Sequence, residues 1–268
     1  MEIMDEETLK RLKKGNEELK RRGIKYMEIS SLQRILRCPV CNYGNLDKQD
    51  EILICDNCNH TFEIKDGVPI LTPRPLERYY YIDPYYQESW KKCKKYAWKG
   101  LENCLYTTPM LGPVDIADKA EKGDMPHWEY YKRIYHDEIR LKNLISFFRK
   151  TCDPSKEYLV LDLGSGLGND TYKLCLEFSN LTIIGIDLVL WGVIASQQYH
   201  ANEYPERLQY ICGDATVLPF QDDSFDIIFS INAYEHAGVA LFREAYRILK
   251  QGGGRNDNRT VSACLYLL

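Results

Sequence analysis

The chain has 268 residues, 44% hydrophobic and 28% charged, with a net charge of −4 and a pI of about 5.8. It is long enough to bury one large core or two small ones. The acidic balance leaves only a local basic face for any nucleic-acid contact, and no apolar run reaches the length of a membrane span. Residues 1–30 are rich in Lys, Arg, Glu and Asp and read as an arm rather than a secretory signal. Ten cysteines in such a chain point to reduced thiols in the cytoplasm, with clustered ones reserved for a metal.

The arm, "DEETLKRLKKGNEELKRRG", predicts a charged helix with a narrow stripe of Leu9, Leu12 and Leu19. It is either a solvated helix or a partner-binding element.

Residues 31–73 carry two C-x-x-C pairs, Cys38 with Cys41 and Cys55 with Cys58. Each pair can aim two thiolates at one ion, and together they complete a tetrahedral sulfur site of the kind zinc favours. Free buried cysteines or disulfides are the alternative, and the paired spacing argues against both. His60 is a further candidate ligand, but four cysteines already fill the site. "EILIC", "TFEI" and "VPIL" predict strands, with turns at Gly44–Asn45 and at "DG". So small a ribbon needs its metal to fold, and four thiolates leave no open position for water, so zinc is expected to be structural. The two knuckles and the closing "DGVPIL" resemble the small zinc-ribbon proteins that activate tRNA and protein methyltransferases. Similar ribbons also precede ribosomal RNA guanine methyltransferases.

Residues 74–126 read as a linker or lid segment containing a helix. Pro73 and Pro75 mark its start. Trp90, Cys93, Ala97 and Leu101 share one helical face, and Lys91, Lys92, Lys94, Lys95 and Lys99 fall mostly elsewhere. Those lysines make either a solvated side or an RNA-facing one. The tyrosines from Tyr79 to Tyr86 either cover a pocket or pack the linker.

Residues 127–268 begin with a helix whose apolar face runs through Trp128, Tyr131, Tyr135, Ile139, Leu141, Leu144, Ile145 and Phe148, and which ends before Asp153–Pro154. Strand and helix patterns then alternate. "YLVLDLG", "LTIIGIDL", "LQYICGD" and "FDIIFSINA" predict strands. "GNDTYKLCLEFS", "VLWGVIASQQYHANEY" and "AGVALFREAYRILKQ" predict helices. Continuous apolar strands separated by helices describe an α/β, doubly wound parallel sheet, whose ligands sit at the carboxyl ends of the strands.

Gly164, Gly166 and Gly168 follow the first of these strands. Their G-x-G-x-G spacing departs from the dinucleotide fingerprint G-x-G-x-x-G, and no Lys follows as in a P-loop. Asp187 ends the second strand, where a carboxylate can accept from a ribose diol. Asp214 ends the third, where a carboxylate can accept from the exocyclic amine of adenine.

Taken in order, "LDLGSGLGND", "GIDL", "GDATVLPFQDDSFDIIFS" and "FREAYRILKQGG" resemble a class I S-adenosylmethionine-dependent methyltransferase, a Rossmann-like fold, over about residues 130–254. The resemblance is closest to the type 11 group, whose fourth strand follows L-P-F-x-D-x-S-F-D. It implies that Asp162 and the loop of Gly164, Ser165, Gly166 and Gly168 hold the methionine part of S-adenosyl-L-methionine. By the same resemblance Asp187, with Leu188 beside it, binds the ribose, Asp214 and Ala215 bracket the adenine, and Asn232 lies by the methyl group.

Methyl transfer from a sulfonium is an in-line displacement, so the protein mainly supplies orientation and desolvation. "NAYEHAG" sets Glu235 and His236 where this group often faces its substrate. His236 is the better candidate base by its ordinary pKa, or it positions a loop or substrate instead. Tyr234 and Tyr131 are candidates for the same pocket.

After "RILKQGGG" the family pattern calls for a fifth strand, a helix and an antiparallel pair. "TVSACLYLL" suits the fifth strand, and the sheet is expected to be C-terminally shortened or altered after about residue 254. Such a sheet exposes an apolar edge that the middle segment, a protein partner or a second copy would cover. The expected function is methyl transfer to RNA, protein or a small molecule. The alternative is a non-catalytic cofactor- or partner-binding activator with a methyltransferase-like fold. A nicotinamide-dependent dehydrogenase is opposed by the glycine spacing and by the "GDA…LPF…SFD" run.

Overall fold

A computed structural model describes residues 32–76, 78, 138–166, 168–201, 204–231, 233–250 and 262–266. The charged arm, the lysine-bearing helix, the tyrosines from Tyr79 to Tyr86, Tyr131 and Asn232 lie outside these residues. Two compact units are present, Arg74–Lys150 and the combination of Met1–Pro73 with Thr151–Leu268. The first contributes helix α1 (Glu138–Thr151). Leu144 and Phe148 are buried on its apolar face, on the side the heptad-like spacing predicts.

The second unit begins with a 3-10 turn, Gln33–Ile35, and four short strands: β1 (Leu46–Gln49), β2 (Ile52–Cys55), β3 (Thr61–Lys65) and β4 (Val68–Leu71). β1–β2, β2–β3 and β3–β4 are antiparallel. Phe62 and Ile64 alternate inward along β3. The two-residue turn between β3 and β4 places Asp66 at φ 51° and Gly67 at φ 79°. That left-handed pair matches the twist of a tight hairpin, which is why Asp-Gly is favoured there.

The remaining strands are β5 (Tyr158–Leu163), β6 (Leu181–Asp187), β7 (Leu208–Gly213), β8 (Ile227–Ile231) and β9 (Ser262–Tyr266). They are parallel and lie in the order β7-β6-β5-β8-β9. The order reverses at β5, so the crevice at its carboxyl end is the position where doubly wound sheets hold ligands. β9 supplies the fifth parallel strand expected from "TVSACLYLL". Helices α2 (Asn169–Glu177), α3 (Leu190–Ser196) and α4 (Tyr234–Ile248) connect the strands.

The ribbon and the parallel sheet are continuous. β4 pairs in parallel with β7, Ile70 opposite Cys212 and Leu71 opposite Gly213. One core therefore contains Leu36, Leu46, Leu53, Phe62 and Leu71 from the ribbon together with Leu163, Ile186, Ile211 and Phe220 from the sheet.

The "LPFQDDSF" run is the second seam. Phe220 bridges Leu36 and Phe225 bridges Leu249, and the two rings meet edge-on at 4.8 Å. The Arg37 amide donates to Pro219 O at 3.0 Å and the Gln221 amide to Ile35 O at 2.7 Å.

Two helices differ from their sequence pattern. α3 is shorter than the apolar run suggests, passing at Gln197 into a π turn that ends at Ala201. α4 starts three residues before "AGVALF" and is interrupted at Gly238 (φ 58°, ψ −148°). Among the described residues no helix is long and apolar enough to cross a membrane.

Candidate functional site

The four cysteines converge as the spacing predicts. Their sulfurs all lie within 4.8 Å of one another, with Cys38 Sγ 3.7 Å from Cys58 Sγ and Cys41 Sγ 3.6 Å from Cys55 Sγ. A tetrahedral ion with metal–sulfur bonds of about 2.3 Å holds its sulfurs about 3.8 Å apart, so this cluster has the right size. Backbone amides already face the thiols. Gly44 N donates to Cys41 Sγ at 3.5 Å and Cys58 N to Cys55 Sγ at 3.4 Å. The Asn57 side chain and the amides of Gly44 and Tyr43 lower the Cys41 thiol to about 6, whereas burial pushes Cys38 up to about 12. His60 is not in the cluster. Its ring is exposed and lies 4.7 Å from Phe62.

The glycine loop joins β5 to α2. Gly164, Gly166 and Gly168 all have positive φ, at 78°, 54° and 68°, which explains the alternate glycines. A Cβ on Gly164 would run into that of Ala233. The amides of Gly164 and Ser165 both donate to Ile186 O, at 2.8 and 3.1 Å, tying the loop to the end of β6.

Asp187 leaves that strand end with a half-buried carboxylate. Oδ2 accepts from the Gly166 amide and Oδ1 from the Val189 amide, both at 2.9 Å. A carboxylate has about four acceptor positions, so one carboxylate can hold both backbone amides and still be the type of group that accepts from a diol. Asp162 is buried and accepts from the Thr171 hydroxyl. Among the described residues the buried Ser165 hydroxyl has no hydrogen-bond partner. Asp214 uses Oδ1 for both the amide (2.8 Å) and the hydroxyl (2.6 Å) of Thr216. Its Oδ2 has no bond among the described residues. Ala215 packs against the core beside it. Leu188 O accepts from the Cys212 thiol at 3.6 Å, and burial followed by the charge of Asp187 pushes that thiol up.

Acceptors at the ends of β6 and β7 and a close-approach loop after β5 thus stand at the carboxyl ends of neighbouring strands, the groups a nucleoside with a charged tail would need. The side chains of Tyr234, Glu235 and His236 lie outside the described residues. Gly185 and Tyr210, which pack beneath the loop, have no sequence signal beyond their place in apolar strands.

Residues 160–253 match the methyltransferase domain family and residues 31–67 match the Trm112p-like protein family. The chain therefore carries a class I S-adenosylmethionine-dependent methyltransferase domain and a Trm112p-like region with four close cysteines. A sterol 24-C-methyltransferase of Clavispora lusitaniae is 36% identical over 98 residues, 35% of this chain and 26% of that protein. An uncharacterized protein of Methanocaldococcus jannaschii is 30% identical over 141 residues, 52% of this chain and 56% of that one. The chain thus spans about a quarter to about half the length of these relatives. Among solved structures, Haemonchus contortus phosphoethanolamine N-methyltransferase 2 in complex with S-adenosyl-L-methionine is 27% identical, with a TM-score of 0.37 over 42% of this chain and 26% of that one.

Proposed function

We propose that this protein is an S-adenosylmethionine-dependent methyltransferase whose ribbon holds one structural zinc ion. The observation that carries the reading is the pairing of the left-handed glycine loop with Asp187, at the point where the parallel sheet reverses its strand order. The cofactor, when bound, supplies an electrophilic methyl group on a sulfonium. Gly164, Ser165, Gly166 and Gly168, with Asp162 behind them, hold its methionine part. Asp187 and Leu188 hold the ribose, and Asp214 and Ala215 the adenine. By the family resemblance Asn232 would lie by the methyl end, and His236 or Glu235 would receive or orient the acceptor's proton.

Cys38, Cys41, Cys55 and Cys58 are the zinc ligands. The fit of their sulfur spacing to a tetrahedral ion supports this assignment, as does the match to the Trm112p-like family. The acceptor is RNA, protein or a small molecule. The pairing of β4 with β7 counts against an activator of a separate methyltransferase, because the ribbon's last strand is already engaged by this chain's own sheet.

Calorimetric titration of S-adenosylmethionine into the wild-type protein and Asp187→Ala tests the reading. Wild type should bind in the micromolar range, an order-of-magnitude expectation. Asp187→Ala should bind at least about 10-fold more weakly, since hydrogen bonds to a charged acceptor contribute about 1.5–3 kcal/mol. No binding by the wild type would sink the function, and equal binding by both would sink the site.

A further inference from the structure

We propose that Tyr210 is a positioning residue for the cofactor loop, and that its ring is what requires a glycine at 185 and adds a second constraint, beside the left-handed backbone, at Gly168. The inference rests on the reading that this loop holds the cofactor. Asp162, Gly185 and Tyr210 stand in register across β5, β6 and β7. The Tyr210 ring fills the space over Gly185, where an added Cβ would lie 2.5 and 2.6 Å from its Cδ1 and Cε1. The same ring reaches the loop. A Cβ on Gly168 would meet the phenolic oxygen and lie 2.7 Å from Cζ. Two glycines on separate elements thus converge on one side chain of this protein, so neither needs a ligand to explain it.

The phenol also bonds the loop it supports. It donates to Gly168 O at 3.3 Å, the carbonyl that accepts the Tyr172 amide at 2.9 Å in the first turn of α2. In the same first turn of α2, the Thr171 hydroxyl gives its proton to Asp162. Burial, then the nearby Cys175 and Asp162, hold the phenol well above its ordinary pKa, so it remains a donor. Its strand is braced from outside. The Tyr210 amide donates to Gln197 Oε1 at 2.9 Å, and Gln209 Nε2 donates to Gly67 O, in the ribbon hairpin, at 3.2 Å. A loop held this way before the cofactor arrives loses less freedom on binding.

Two measurements decide the point. In calorimetry well below the melting temperature, Tyr210→Phe should bind S-adenosylmethionine about 5-fold to 10-fold more weakly than wild type, the size of one lost hydrogen bond. Its affinity for adenosine, which lacks the methionine part, should be unchanged. Unaltered affinity for S-adenosylmethionine, or an equal loss for both ligands, would overturn the positioning role. The second measurement is a melting cycle of Gly185→Ala, Tyr210→Leu and the double variant. Gly185→Ala should lower the melting temperature markedly in the wild-type background and little when Tyr210 is Leu. Additive losses would overturn the steric part. A wild type that binds no S-adenosylmethionine would remove the cofactor reading and with it the positioning role, and the cycle would still decide the steric part.

Discussion

The Gly166 amide donates to Asp187 Oδ2 at 2.9 Å, closing the glycine loop onto the end of β6. The other oxygen holds the Val189 amide at the same distance, at the entry to α3. Asp187 therefore organises two backbone segments before any ligand is present. Asp187→Asn keeps the size but turns one acceptor into a donor that faces an amide donor. It should cost about 1–2 kcal/mol of stability without cofactor, the usual penalty for a partner lost from a part-buried group. Urea unfolding of ligand-free wild type and variant gives the number, and identical midpoints would show that the carboxylate plays no part in loop order.

Gly44 is as constrained as the loop glycines, for a different reason. A Cβ there would collide with Cys55 Sγ and lie 2.8 Å from Asp56 Oδ1. The Asp56 carboxylate holds Asn45 through its amide (2.9 Å) and its side chain (3.0 Å), so it cannot easily retreat. Gly44→Ala should displace Cys55 Sγ, one of the proposed zinc ligands. The expected result is a purified protein with well below one zinc per chain by elemental analysis, against about one for wild type. Full zinc content in the variant would contradict the close approach.

These two constraints differ in how far they can be read from the sequence. The cysteine knuckles and the G-x-G-x-G loop are local patterns, and the convergence of the four sulfurs and the left-handed loop are legible because spacing alone sets them. Continuous apolar runs likewise mark β5 to β8, and "TVSACLYLL" marks β9. Tyr210 is different. Its role depends on Gly168 and Gly185 arriving from two other elements, and no local pattern records that meeting. The pairing of β4 with β7 is also invisible, because "VPIL" reads equally well as the last strand of an isolated ribbon. The kink at Gly238 leaves no local signal either, because one glycine within a helical pattern is usually tolerated.

That shared edge implies that ribbon and sheet unfold together. Leu71 is fully buried in the common core, with its register partner Gly213 on β7. Leu71→Ala should cost about 2–5 kcal/mol, and metal release and loss of sheet structure should move down in temperature by the same amount. With zinc in the ribbon as proposed, chelation at neutral pH should lower the melting temperature of the parallel sheet too, because metal binding would supply part of the ribbon's folding energy. Thermal unfolding followed by circular dichroism and by a zinc-sensitive dye distinguishes the cases. Two separate transitions, with the sheet's unaffected by chelator, would show that the shared core does not couple them.

The second seam ranks two cations by their surroundings. Arg247 donates to Phe220 O (2.7 Å), Leu218 O (3.1 Å), Asp222 (2.7 Å) and both oxygens of Glu244 (3.0 and 2.7 Å). Glu244 is largely buried and also accepts the Leu218 amide at 2.8 Å, and Arg37, 3.8 Å from it, is too distant to replace the lost bonds. Arg247→Met should therefore cost about 3 kcal/mol, since it strands a buried carboxylate and two carbonyls. Lys250 also meets a carboxylate, Asp226, at 2.9 Å, but both are substantially exposed. Asp226 keeps its bond to the Leu159 amide without it. Lys250→Met should cost under about 1 kcal/mol, with the loss shrinking further in high salt. Urea midpoints of the two variants at low and high salt test the ranking. Equal losses would show that the burial of Glu244 does not set the cost of losing its partner in this seam.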